Sequence, residues 1–157
     1  NFYRLAPGRE VRLKGAYIIR CETVIKDAAG KITELHCTYD PQTKSGQDTS
    51  GKKVKGVIHW VPVQHAARIT VRLYDTLFLK ENPEDDDEGD FINSINPNSL
   101  ITLTDVPVEP AVAAAAPGSR FQFLRKGYFY YDPVDAREGK IIFNRIVSLK
   151  DSWAKKS

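Results

Sequence analysis

Apolar side chains recur at every second position through most of this chain, and no long amphipathic helix interrupts them, so the chain must fold through strands. Tyr17, Ile19, Cys21, Thr23 and Ile25 share one face of a strand, with Arg20, Glu22 and Lys26 on the other. Asp27-Ala28-Ala29-Gly30-Lys31 is a turn signal, after which Leu35, Cys37 and Tyr39 alternate again within 32–39. The pattern predicts a hairpin that brings Cys21 near Cys37, because the two positions are symmetric about Ala29. Further strands are expected over 54–61, 68–74, 100–106, 120–131 and 141–149. Residues 41–53 form a polar loop and 107–119 a Pro/Ala loop, and the one modest helical pattern, 91–100, is closed by Asn96-Pro97. Short strands at such intervals imply a barrel or a sandwich.

Charge divides the chain. Seven of its 20 carboxylates lie in residues 81–90, so outside that stretch 23 basic residues face 13 acidic ones. The acidic stretch is too polar to pack and is expected as an exposed connection between two domains, 1–88 and 89–157. The basic remainder suits a polyanionic partner. No apolar run reaches the roughly 18 residues of a membrane span, and no export signal opens the chain. Two cysteines without such a signal point to free thiols in a reducing compartment, the cytosol. The absence of Met and the opening Asn1-Phe2-Tyr3 suggest a piece of a longer protein.

Catalytic signatures are missing. The glycines stand singly at turns instead of forming a phosphate loop. His36, His59, His65, Cys21 and Cys37 lack the paired spacing of a zinc site, and the acidic run lacks the alternating ligands of a calcium loop. Cys37 reads as a strand-interior core thiol. No catalytic residue and no metal site are expected. The densest functional pattern is Phe121-Gln122-Phe123-Leu124-Arg125-Lys126-Gly127-Tyr128-Phe129. On a strand, Phe121 and Phe123 turn inward and Gln122 outward, with Arg125 near an irregular end before Gly127. Glutamine offers both a donor and an acceptor, and arginine a rigid fork of donors, which suits both to base edges.

At this point the sequence resembles the anticodon-binding region of the glutaminyl-tRNA synthetases. The resemblance rests on Arg4-Leu5, Gly8, Glu10-Val11-Arg12-Leu13 and Ala16-Tyr17, then Cys37-Thr38-Tyr39-Asp40 and Lys53-Val54-Lys55-Gly56-Val57-Ile58-His59-Trp60-Val61. It continues through His65-Ala66, Arg72-Leu73-Tyr74-Asp75, Phe121-Gln122-Phe123, Arg125, Gly127-Tyr128-Phe129 and Phe143-Asn144-Arg145, and closes on Leu149, Asp151 and Trp153-Ala154-Lys155. It implies a mainly β fold of two stacked antiparallel β-barrels, a type shared with a ribosomal 5S-RNA-binding protein. The first would be the distal barrel (1–88). The second would be the C-terminal segment of the proximal one (89–157), incomplete and carrying an unpaired edge that invites a neighbouring chain.

By the same resemblance, the partner is the anticodon loop of the glutamine tRNA. Arg4 matches the arginine that reads the third anticodon base, and Gln122 with Arg125 the pair that reads the central uridine. Lys14 stands where the family commonly has an arginine facing the first base, with Arg12 beside it as a supporting cation. The replacement loses the planar fork and implies looser first-base selectivity. Tyr3 occupies a position that is often basic, where stacking on a base is its implied contribution. The fragment itself would hold no cofactor. ATP and magnesium would belong to a catalytic domain upstream, in a ligase that is monomeric at full length. The competing expectations are the equivalent domain of a glutamyl-tRNA synthetase, a non-catalytic ribosomal RNA-binding barrel, and a protein-interaction barrel using its acidic segment.

Overall fold

A computed structural model of the chain describes residues 4–83, 91–136 and 139–149. It is mainly β, with nine strands in two sheets and one four-residue helix. The chain divides into two units between Trp60 and Val61.

In the first unit, the expected hairpin forms from β2 (Ile18–Lys26) and β3 (Ile32–Asp40). The turn closes because Asp27 Oδ1 accepts the backbone N–H groups of Ala29 and Lys31, at 3.0 and 2.9 Å, while Gly30 takes φ +78°. Cys21 pairs with Cys37 in the ladder, as their symmetry about Ala29 requires, and a bulge follows between Cys21 and Thr23. β1 (Glu10–Leu13) pairs antiparallel with β2 and parallel with β4 (Val57–Ile58), giving the order β3-β2-β1-β4. Only Val57 and Ile58 of the strand expected over 54–61 are in the ladder. The core of this unit is small: Val11, Ile18, Cys21 and Thr43.

That buried threonine fixes the polar loop. Thr43 ends a single 3-10 turn (Pro41–Thr43); its hydroxyl accepts from Ile18 N (2.8 Å) and donates to Asp40 O (2.6 Å). Arg12 Nη1 donates to Thr43 O at 2.6 Å. Cys37 departs from expectation. It is exposed, and Cys21 is the buried thiol, because β3 is the edge strand and its residues lie open along nearly its whole length among the described residues.

The second unit holds the order β6-β5-β9-β8-β7. Its strands are β5 (Ala67–Tyr74), β6 (Leu100–Val108), β7 (Arg120–Phe123), β8 (Gly127–Tyr131) and β9 (Ile142–Val147). β5 and β9 run parallel at its centre and the other pairs are antiparallel. The expectation of a domain boundary in the acidic stretch therefore fails. β5 belongs to the second sheet, so residues 75–99 connect two paired strands of one unit; the acidic residues 84–90 lie outside the described residues. Residues 91–94 form one 3-10 turn, and Phe78 bridges to Ile95. The Pro/Ala loop contributes the last two residues of β6 and the short helix Pro110–Ala113. The expected strand 120–131 is instead the β7–β8 hairpin, with Phe123 paired to Gly127 across Leu124-Arg125-Lys126.

The core of this sheet is aromatic. Phe143 is fully buried, with Tyr131 stacked on it (ring centroids 5.0 Å) and Phe121 edge-on (5.9 Å); Phe123 stacks on Phe129 at 4.4 Å. Ile69, Val71 and Val108 complete it. The mainly β fold in two sheets is the one expected; both sheets are mixed and open among the described residues, with no closed barrel there, and the second was expected to be incomplete. No described helix is long and apolar enough to cross a membrane.

Candidate nucleic-acid interface

Each unit carries its own group of candidate residues. In the first, Lys14 follows β1 in a tight turn. Its backbone N–H donates to Ile58 O (2.9 Å) and its carbonyl accepts Trp60 Nε1 (3.1 Å), so the backbone is fixed on both sides. Gly15, at φ +72°, lets the chain reverse there. The Lys14 side chain is exposed and makes no hydrogen bond or ion pair among the described residues. The exposed ammonium is a point charge on a fixed backbone. Arg4 is likewise exposed, on the segment that leads through the Ala6–Arg9 turn into β1. Arg12 is placed differently. Its guanidinium is half-buried, donates to Thr43 O and ion-pairs with Asp48. It works as a clamp on the loop, not as a free cation. Two bonds from Ser50 and then the Arg12 contact hold the Asp48 carboxyl below the usual carboxylate range. Tyr3 lies outside the described residues.

In the second unit, alternation along β7 sends Phe121 and Phe123 to the core and leaves Gln122 exposed, as the sequence implied. Cross-strand register sets Gln122 opposite Tyr128, which keeps 45% of its surface in solvent. Two rungs further, on the same face, Arg120 pairs with Tyr130 and stacks over its ring, 5.4 Å from guanidinium carbon to ring centroid. The outward face of the hairpin is therefore a platform of two tyrosines edged by Arg120 and Gln122. Arg125 sits at the hairpin tip, exposed, at φ +62°, a conformation uncommon for a side chain of its size. The tip is tight because Gly127 passes close to β9: a Cβ there would stand 2.5 Å from Val147 O.

A polar network borders the platform through the register Arg72–Asn144–Tyr130. Asp132 Oδ1 accepts Val134 N (2.9 Å) and Asp135 N (3.1 Å), and its Oδ2 accepts Asn144 Nδ2 (2.7 Å). Arg72 Nη1 reaches Asp135 at 2.5 Å and Asp132 at 3.7 Å. The backbone bond from Asp135 leads the causes that push the Asp132 carboxyl down; the Val134 and Asn144 bonds and Arg72 add to it against burial.

Arg120, Tyr128 and Tyr130, which share this face with Gln122, were not among the candidate site residues the sequence offered. The signal was present: a turn at 124–126 makes Gln122 face Tyr128 and Arg120 face Tyr130 by simple counting. It is hidden because the left-handed turn residue is an arginine in place of the glycine or asparagine that marks most such turns.

Two family models match the chain, over residues 1–40 and 57–132, and both are described as tRNA synthetases class I (E and Q), anti-codon binding domain. The chain belongs to that family. The first match contains Arg4, Arg12 and Lys14, and the second contains Gln122 and Arg125. Residues 41–56, between the matches, include the loop that Thr43 and Arg12 hold. The second match begins close to the division at Trp60 and runs through the acidic stretch, in keeping with a single unit from there on. The chain is 57% identical over 156 residues to the "Glutamine--tRNA ligase" of Rhodopirellula baltica, covering 99% of this chain and 26% of that protein. It is 54% identical to the protein of the same name from Ectopseudomonas mendocina and 53% to one from Pseudomonas aeruginosa, each over 98% of this chain and 28% of the relative. This anticodon-binding chain thus spans about a quarter of the length of the curated relatives it matches.

Proposed function

We propose that the chain is the part of a glutamine–tRNA ligase that reads the anticodon loop of the glutamine tRNA, with Arg4 and Lys14 acting from one unit and Gln122 and Arg125 from the other. The observation that carries this reading is the outward face of the β7–β8 hairpin, where a glutamine amide and an exposed tyrosine are register partners in a chain more than 50% identical to glutamine–tRNA ligases. An anticodon base turned out of its stack needs an aromatic or planar surface to lie on and polar groups at its edge. Tyr128 supplies the first, and Gln122 and Arg125 the second. A central uridine presents one donor and flanking carbonyl acceptors. Gln122 can satisfy both kinds of group, whereas Arg125 can only donate and so disfavours the amino group of a cytosine. Arg4 would face the third base and Lys14 the first, the lysine discriminating less because it lacks the planar fork. Activation of glutamine with ATP and magnesium would be the work of other parts of the ligase, which is taken to act as a cytosolic monomer.

The test is a fluorescence titration of this chain with the glutamine-tRNA anticodon stem-loop and with its central-base cytosine variant. The cognate loop should bind more tightly, and Gln122→Ala and Arg125→Ala should each cut that preference by about 1–3 kcal/mol, the worth of a good base contact. Equal losses on both loops would show that the two residues hold only the phosphate backbone and would defeat the assignment.

A further inference from the structure

Cys21 and Cys37 are the only two cysteines of the chain and are direct register partners across the β2–β3 hairpin. The backbone of Cys21 is spent on the opposite side of its strand: its N–H donates to Arg9 O (3.2 Å) and its carbonyl accepts Gly8 N (2.8 Å). The Cys21–Cys37 rung is therefore a non-hydrogen-bonded pair, the closer of the two antiparallel kinds, with Cα atoms about 4.5 Å apart. That separation lies within the roughly 4.4–6.8 Å range that a disulfide spans. The thiols also lean the same way. Cys21 Sγ points along β2 toward Thr23 O (3.9 Å), and Cys37 Sγ points along β3 toward Leu35 O (3.8 Å), both in the direction of the hairpin turn. Closing a bond needs side-chain rotation without a shift of the strands. The two thiols differ in access: Cys21 is wholly buried and Cys37 is exposed on the edge strand. Burial first, then the neighbouring Cys21 and then Glu22, push the Cys37 thiol up from its ordinary pKa.

The geometry points to an oxidative modification site: hydrogen peroxide converts this pair to an intramolecular Cys21–Cys37 disulfide that staples the edge strand β3 to β2. Peroxide meets the exposed residue. The Cys37 sulfur attacks one peroxide oxygen, the O–O bond breaks, and Cys37–SOH and water form. Cys21 sulfur then attacks the sulfenic sulfur, the S–O bond breaks, and the hydroxyl leaves with the Cys21 proton as a second water. Two thiols lose two electrons and two protons to one peroxide, and the bridge forms in place because its buried partner is already in register.

The experiment treats the chain with a few equivalents of hydrogen peroxide, then counts thiols after denaturation and maps the peptides by mass spectrometry. The expected result is a fall from two thiols to none, an intact mass lower by two hydrogen atoms, a Cys21–Cys37 cross-linked peptide, and full reversal by a dithiol. Cys37→Ser should leave Cys21 reduced under the same treatment, since the buried thiol then has no exposed partner. Three results would each overturn the proposal: both thiols intact while free glutathione in the same tube is consumed, a sulfinic or sulfonic Cys37 beside a reduced Cys21, or dimers joined through Cys37. The mapping of the unaltered chain decides the matter even where a variant folds poorly.

Discussion

Arg125 holds a backbone conformation that costs a non-glycine residue about 1–2 kcal/mol, and it does so at the tip of the hairpin that carries Gln122. A residue kept in the left-handed region at such a place suggests that its side chain is wanted there more than its backbone comfort. Replacing it with glycine should separate the two demands. Arg125→Gly should leave stability unchanged or raise it by up to about 1 kcal/mol, because glycine's freer unfolded chain takes back part of the relief. The same change should remove the central-base preference. Urea titration and the stem-loop titration, run side by side, read the two effects, and a loss of stability would show that the guanidinium supports the fold. Thr43 is a contrasting residue, wholly buried and wholly structural. Thr43→Val keeps the shape but strips Ile18 N of its acceptor, at a cost of about 1–3 kcal/mol in chemical denaturation, with the loop of residues 41–52 losing its anchor.

Among the elements, the Asp132 turn joins β8 to β9 and is tied to β5 through Arg72. The folded-state pKa of Asp132 is depressed, so its contribution is fully present above its unfolded value of about 4 and is lost as pH falls through the lower folded value. Asp132→Asn should destabilise the second unit by about 1–3 kcal/mol at neutral pH, since the amide sets a donor against Asn144 and Arg72 in place of an acceptor. It should also flatten the decline of stability below about pH 4. Thermal melts across that range check both, and an unchanged acid slope would assign the decline to other carboxylates. Elements differ in how far the sequence announces them. The β2–β3 hairpin was legible to its register because its turn and its alternation are local, and so was the inward turn of Phe121 and Phe123 around Gln122. The β7–β8 turn was not, because a left-handed arginine carries no turn signature. The engagement of Arg12 was also hidden, since its partners Thr43 and Asp48 lie more than 30 residues away in a loop with no periodicity. The place of β5 was read wrongly for the same reason: a parallel partner some 70 residues downstream leaves no mark on the strand itself.

For the molecule as a whole, the two units rest on very different cores, four small or medium side chains in one and an aromatic cluster around Phe143 in the other. Phe143→Ala should cost about 3–5 kcal/mol, as large-to-small changes at a packed aromatic do. Hydrogen exchange should then show amides of β5–β9 opening while those of β2 and β3 keep their protection. Matching losses in both units would mean that they unfold as one. The parallel pairing of Thr70–Arg72 with Ile142–Asn144 also sets an order of events during synthesis. The strands of the first unit lie within residues 10–58 and can fold as soon as they emerge, but β5 must wait for a partner about 70 residues behind it. At translation rates of roughly 5–20 residues per second that is a delay on the order of 4–14 s. Through that interval β5 and β6 can offer only a two-stranded ribbon with its apolar face open to water. The centre of the sheet is thus the last part of this unit to become safe, and a nascent chain stalled before β9 is the form in which it is most exposed to aggregation and to chaperones.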